Sequence, residues 1–234
     1  TLSVTIATGL YLLANPIYVA LTPRLTSLIS LGSIDKVISL YNKSSLLSSI
    51  IIFSMSSQMF FFATEIFWVW FGDKNLGAES AQFLPVISFA YSMIAITIMP
   101  FSIAFANGYT KFNNYLGLMT LLITIPGYIY FIKFLGPIGG AYVFCFAQIL
   151  VSIIYVYQIK KKFLKKMNPK TYFLKNLLFP LIISFSVTFV IHHFFEFRSS
   201  LNRLEILFFL CSSTVFVFLT NILILSFKDL KNLK

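Results

Sequence analysis

The sequence predicts an all-α fold, a polytopic transmembrane bundle of about seven helices, and three observations carry that reading. Seven long runs of Leu, Ile, Phe, Val and Ala fill the chain; mean hydropathy is +0.87; and only 11% of residues are charged. Each run has about 20 residues or more, which at ~1.5 Å rise per residue spans the ~30 Å hydrocarbon layer of a bilayer. A soluble fold of this composition would expose more apolar surface than water tolerates. In lipid the backbone must satisfy its own hydrogen bonds, so spans of this length are helices; barrel strands would have about 10 residues and alternate in polarity.

The first segment, about residues 1–31, carries Thr8, Tyr11, Asn15, Tyr18 and Thr22 at spacings of three and four, one polar stripe on an otherwise apolar helix. Such a stripe faces protein or water, either as the wall of a cavity or as polar glue between helices. Pro16 and Pro23 each remove a backbone hydrogen bond and permit a bend. Arg24, near the end of the span, either snorkels to the interface or, redirected by Pro23, turns a guanidinium toward a cavity where it suits a phosphate or carboxylate. The second segment, 44–70, holds Ser54, Gln58 and Glu65, the last two seven apart and so on one face of a continuous helix. An intramembrane carboxylate is costly unless paired, hydrated or protonated, so Glu65 is a proton or sodium relay, an acceptor for sugar hydroxyls, or an interfacial residue. Trp68 and Trp70 close this segment as aromatic belts do.

Segments three and four run over 81–107 and 113–133, and the fifth, 137–158, adds Cys145, Gln148, Ser152 and Tyr155 at helical spacing. The sixth, 171–195, ends in His192 and His193 with Glu196 nearby, and the seventh, 203–226, contains Asn221. Asn107 and Asn221 read as end-of-span or packing residues. The division expected is a five-helix bundle over 1–158, a basic loop over 159–170, two further transmembrane helices over 171–226 and a basic tail over 227–234.

Charge sets the direction. The fifth and sixth segments are joined through Lys160, Lys161, Lys162, Lys165, Lys166, Lys170 and Lys175, which the positive-inside rule puts in the cytoplasm. Alternation then assigns Arg24, Lys36, Lys43, Lys111, Lys228, Lys231 and Lys234 to the same side, and Lys74, Lys133, Arg198 and Arg203 to the other. The C-terminus is thereby cytoplasmic, and the lysine run is an orientation determinant or a recruiter of anionic lipid headgroups. The net charge of +11 needs no nucleic acid to explain it. The chain opens on Thr1, already within a span and with no signal peptide ahead. That opening is the one expected of the C-terminal part of a longer protein, preceded by an odd number of spans.

No Gly-rich phosphate loop, nucleophile elbow or paired acids in a large loop supports soluble enzyme chemistry, and no cofactor is implied. Cys145 and Cys211 lie within apolar runs, and the spacing of His, Cys and acids fits no metal site.

Four short strings share an order with a known family: Thr22-Pro23-Arg24-Leu25-Thr26 followed by Gly32-Ser33; Trp68-Val69-Trp70-Phe71-Gly72; Ala106-Asn107-Gly108-Tyr109-Thr110-Lys111; and Gly136-Pro137-Ile138-Gly139-Gly140-Ala141. Over about residues 1–160 this resembles the second half of polysaccharide (O-antigen repeat-unit) flippases of the multidrug/oligosaccharidyl-lipid/polysaccharide exporter superfamily. The resemblance implies a twelve- or fourteen-helix exporter of two related bundles in the bacterial inner membrane. It implies passage of an undecaprenyl-pyrophosphate-linked oligosaccharide, for lipopolysaccharide or another surface polysaccharide, from the cytoplasmic to the periplasmic leaflet by alternating access. It admits proton or sodium coupling, and a polysaccharide polymerase and chain-length proteins as partners beside membrane lipid. On this reading Asn15, Tyr18, Gln58, Glu65 and Gln148 offer hydrogen bonds along the substrate pathway, and Arg24 is the cation for phosphate or acidic sugar. The competing readings are an ion-coupled multidrug antiporter of the same superfamily and a membrane-embedded polysaccharide polymerase or transferase.

Overall fold

The computed structural model describes residues 1–72, 79–195 and 202–231, and is helical wherever an extended element stands. Its helices are α1 (Leu2–Ser30), α2 (Ile34–Phe61), α3 (Ala63–Phe71), α4 (Leu84–Ala106), α5 (Lys111–Leu135), α6 (Pro137–Phe163), the single turn α7 (Pro169–Tyr172), a π-helical segment (Phe173–Leu178), α8 (Phe179–Phe194) and α9 (Arg203–Lys231). Among the described residues seven helical spans are long and apolar enough to cross a membrane, which defines a multi-pass membrane protein. Lys74, Glu196, Arg198 and Lys234 lie outside the described residues, as do the side chains of Lys228 and Lys231.

Local chemistry sets the boundaries. After α1 the chain reverses at Gly32, whose φ of +66° a side chain would resist. The Gly32 and Ser33 amides return to the carbonyls of Ile29 and Leu28, closing the helix end that the apolar turn would otherwise leave unsatisfied. Pro137 occupies the first position of α6, where its missing N–H costs nothing. Pro180 has a larger effect. It follows the π-helical segment, in which the Phe179 amide reaches back five residues to the Leu174 carbonyl, a widened turn that accommodates the proline ring.

The second segment departs most from the sequence reading, and α6 also runs on to Phe163, which takes 159–163 of the expected basic loop into helix. The second apolar segment begins ten residues earlier than its hydropathy, at Ile34, because α2 continues through the polar stretch that holds Asp35, Lys36 and Lys43. The segment is also not one helix: it breaks at Phe62, with φ −112° and ψ 35°, and resumes as α3. Gln58 and Glu65 therefore sit on separate helices rather than on one face. No proline or glycine stands at the break; Ser56 and Ser57 precede it, and Ser57 turns its hydroxyl back on the Ser54 carbonyl at 2.9 Å, a bond that bends helices. The buried Phe62 ring then lodges against Ile206 and Leu210 of α9.

Packing is centred on α2 and α4. Helix α4 meets α1, α2 and α6 through small residues, Ser88, Ala90, Ser92, Ala95, Ser102 and Ala104, which permit close backbone approach where lipid offers no hydrophobic drive for association. Helix α2 touches α1, α4, α8 and α9. Helix α5 rests on α6 and shows Leu118, Leu122, Ile125 and Ile129 outward. The α5–α6 contact is tight at Gly139, where a Cβ would lie 2.4 Å from the Phe131 carbonyl oxygen.

Gly139→Ala is therefore expected to destabilise the protein by about 1–3 kcal/mol, a fall in melting temperature of roughly 2–12 °C in detergent. Gly9→Ala, with open space around its Cβ, serves as the control and should leave the melting temperature level or slightly raised.

Candidate functional site

The polar stripe of α1 lies along the edge of the bundle. Ala7, Leu10, Ala14 and Leu25 form the buried face of this helix. Beside them Tyr11 is 39% exposed, Asn15 and Arg24 are exposed, and Tyr18 is half-buried with its ring 5.5 Å from that of Phe101 on α4. Thr8 and Thr22 spend their hydroxyls on their own helix, bonding the carbonyls of Val4 and Tyr18 at 2.7 Å each. Tyr11, Asn15 and Arg24 thus remain open toward the surroundings at a face that no other helix among the described residues covers.

The other predicted pathway residues stand elsewhere. Gln58 is buried on α2 and turned to α9, where its Oε1 accepts a hydrogen bond from Ser213 Oγ at 3.1 Å. Its Nε2 has no partner among the described residues. Glu65 is half-buried in the first turn of α3, with one carboxylate oxygen, Oε2, enclosed and without a hydrogen-bond partner among the described residues. Gln148 is half-buried on α6, and its carbonyl accepts the Ser152 hydroxyl at 2.7 Å. Ser152 and Tyr155, predicted on the same stripe, point into the protein: Ser152 also reaches the Met93 carbonyl at 3.2 Å and the Tyr155 hydroxyl donates to Asn113 Oδ1. Among the described residues no hydrogen bond joins any two of Asn15, Tyr18, Arg24, Gln58, Glu65 and Gln148.

A polar seam that the sequence reading missed joins α2 to the last helices. The Tyr41 and Tyr172 hydroxyls are 3.2 Å apart above stacked rings; Asn176 Nδ2 donates to the Asn42 carbonyl at 3.2 Å; and the Ser57 and Thr188 hydroxyls bond at 2.8 Å. Outside the apolar layer, Lys166 pairs with Asp35 at 2.9 Å. Three of these pairs share a sequence separation of 131 and the fourth has 134, so α2 and the α7–α8 stretch run in the same direction in one register. On the other side of the pair, buried Asn221 of α9 donates to Ser184 Oγ at 3.0 Å and to the Val217 carbonyl at 2.9 Å. The density of serines from Ser44 to Ser57 was the available signal.

The two ends of the bundle differ in chemistry. At one, Lys36, Lys162, Lys165 and Lys166 line a common cleft. At the other, Arg203 caps α3, donating to the Val69 carbonyl at 2.6 and 3.2 Å and to the Trp70 carbonyl at 3.3 Å. A cation there satisfies carbonyls that the helix end leaves orphaned. Near this end His192 is ringed by Phe61 and Phe62, and among the described residues no group of three metal-ligating side chains gathers. Between α2, α4, α6 and the π-helical segment lies a cavity of about 280 Å³, apolar in its walls apart from Ser152 and suited to hydrocarbon.

These features define a multi-pass helical membrane protein with an uncovered polar helix face. No family model, no curated protein and no solved structure matches the chain.

Asn221→Ala removes two hydrogen bonds from a fully buried site and should cost about 1–2 kcal/mol. Thermal unfolding in detergent reads this as a loss of several degrees, whereas Leu223→Ala, 56% exposed on the same helix, should unfold close to the wild-type temperature.

Proposed function

We propose that this chain forms part of the translocation wall of a flippase for lipid-linked oligosaccharides in the bacterial inner membrane, with the lysine-rich end and the C-terminus in the cytoplasm. The observation that carries the reading is α1. A helix whose most apolar window has a mean hydropathy of 1.6 still leaves Tyr11, Asn15 and Arg24 open on a face that its own bundle does not cover. Lipid is a poor solvent for those groups, and a hydrated path between two bundles is a good one. Pro16 and Pro23 lie within the same helix, where they permit the bending that alternating access requires. The substrate suits the arrangement: hydroxyl-rich sugars accept hydrogen bonds from Asn15 and Tyr18, Arg24 meets the pyrophosphate, and the prenyl tail stays in lipid.

The motif resemblance supplies the substrate class, undecaprenyl-pyrophosphate-linked repeat units of O-antigen or another surface polysaccharide. Glu65 favours a second reading, an ion-coupled drug antiporter, because a carboxylate oxygen enclosed without a partner among the described residues is a group a proton or sodium ion would visit.

Complementation of a strain lacking its own repeat-unit flippase, with the protein expressed from its complete gene, tests both. Arg24→Ala should lower surface polysaccharide roughly tenfold or more, the loss expected for one charged hydrogen bond of ~1.5–3 kcal/mol. Unchanged polysaccharide in Arg24→Ala and Glu65→Gln would remove these residues from the pathway. Export of a fluorescent organic cation with no rescue of polysaccharide would favour the antiporter.

A further inference from the structure

The cleft at the basic end has a volume of about 610 Å³ and two walls, the turn between α1 and α2 (Gly32 to Lys36) and the end of α6 (Lys162 to Lys166). Its cations are not equivalent. Lys166 pairs with Asp35 at the surface, and the Lys162 ammonium sits 3.2 Å above the centre of the Tyr109 ring. Lys36 and Lys165, one from each wall, have neither an ion pair nor a hydrogen bond among the described residues. Ser33, between them, makes no side-chain capping bond, and the start of the 28-residue helix α2 opens into the same space with its dipole favouring negative charge. Asp35 is the one acid in the lining, and Lys166 already neutralises it.

The surroundings of these charges are apolar. Ile34 and Phe163 line the cleft, and Leu31, on the same turn, is 73% exposed. A soluble anion uses the lysines alone; an amphiphile uses both lysines and leucine.

We propose that this cleft is a binding site for the phosphate headgroup of an anionic membrane phospholipid, held between Lys36 and Lys165, with its acyl chains lying along Leu31. The bound headgroup ties the turn that follows α1 to the end of α6, which at the surface are joined by one exposed ion pair, a contact worth only about 0–1 kcal/mol. Lipid composition at the basic end thereby acts on the helix that carries the open polar stripe. The site stands on its own residues and holds whichever transport reading is correct.

The test uses the full chain, purified in detergent, with phosphatidylglycerol retention measured by native mass spectrometry and by the rise in melting temperature on lipid addition. Wild type should retain phosphatidylglycerol over phosphatidylcholine. Lys36→Gln with Lys165→Gln should weaken that retention roughly tenfold or more, since each lysine near a lipid surface contributes appreciably to anionic binding. The arginine pair at the same positions should restore it. Lys160→Gln with Lys161→Gln, an equal loss of charge at the same end of α6 but outside the cleft, should bind as wild type does. Equal weakening by both glutamine pairs would reduce the effect to diffuse charge and overturn the site. Equal protection by inorganic phosphate or pyrophosphate would overturn the lipid assignment, and undiminished retention in Lys36→Gln/Lys165→Gln would overturn both.

Discussion

Lipid rejects polar side chains, and the drive to bury them against protein gathers the bundle round α2. Helix α2 has the lowest mean hydropathy of the seven spans, 1.3, and the most buried apolar window, 67%; the most apolar, on α9, reaches 2.2 with 28% buried. At α2 this is the reverse of a soluble core, because lipid welcomes leucine and isoleucine and rejects hydroxyls and amides. Four helices therefore gather round α2, and small residues and hydrogen bonds join the buried Tyr41, Ile52 and Phe53 in holding them. Ser48, Ser49, Ser54 and Ser56 hold their hydroxyls buried without partners among the described residues, so close approach is their evident contribution. Ser57, Gln58, Tyr41 and Asn42 supply the directional bonds that choose which helix lies where.

The same constraint isolates α1. Its buried face is completed by α4 and α2, yet its stripe stays uncovered, and no residue of the described chain satisfies Asn15 or Arg24. A structure that spends so many hydrogen bonds seating α8 and α9 against α2 has left its polar first helix open. That contrast is why the proposed function is placed on α1, whereas the Ser152 and Tyr155 stripe of α6, equally visible in sequence, is taken up by contacts to Met93 and Asn113.

Hydropathy alone made the seven spans legible, and their ends fell close to the observed ones wherever a glycine or proline punctuates the chain, as at Gly32 and Pro137. The start of α2 was not legible, because a helix continuing into polar surroundings carries Asp35 and Lys43 without any loss of backbone bonding. Nor was the break at Phe62, which arises from serine back-bonding and from a ring lodged against a helix more than 140 residues away. Of the six predicted pathway residues, Asn15 and Arg24 stand open and Gln58 is engaged by Ser213, a partner that no periodicity could announce. The seam between α2 and α8 escaped for the same reason: periodicity reports a face, and only folding reports what meets it.

The packing round α2 depends most on α2 and α8 running parallel in a fixed register, which a cysteine pair reads directly. With Cys145 and Cys211 replaced by serine, Ser57→Cys and Thr188→Cys stand at a pair whose hydroxyls now lie 2.8 Å apart. Mild oxidation in native membranes should join them within one chain, as mapped by peptide mass, and faster than Ser57→Cys joins Ser184→Cys one turn away. Absence of the first link, or faster formation of the second, would contradict the register and with it the role given to α2.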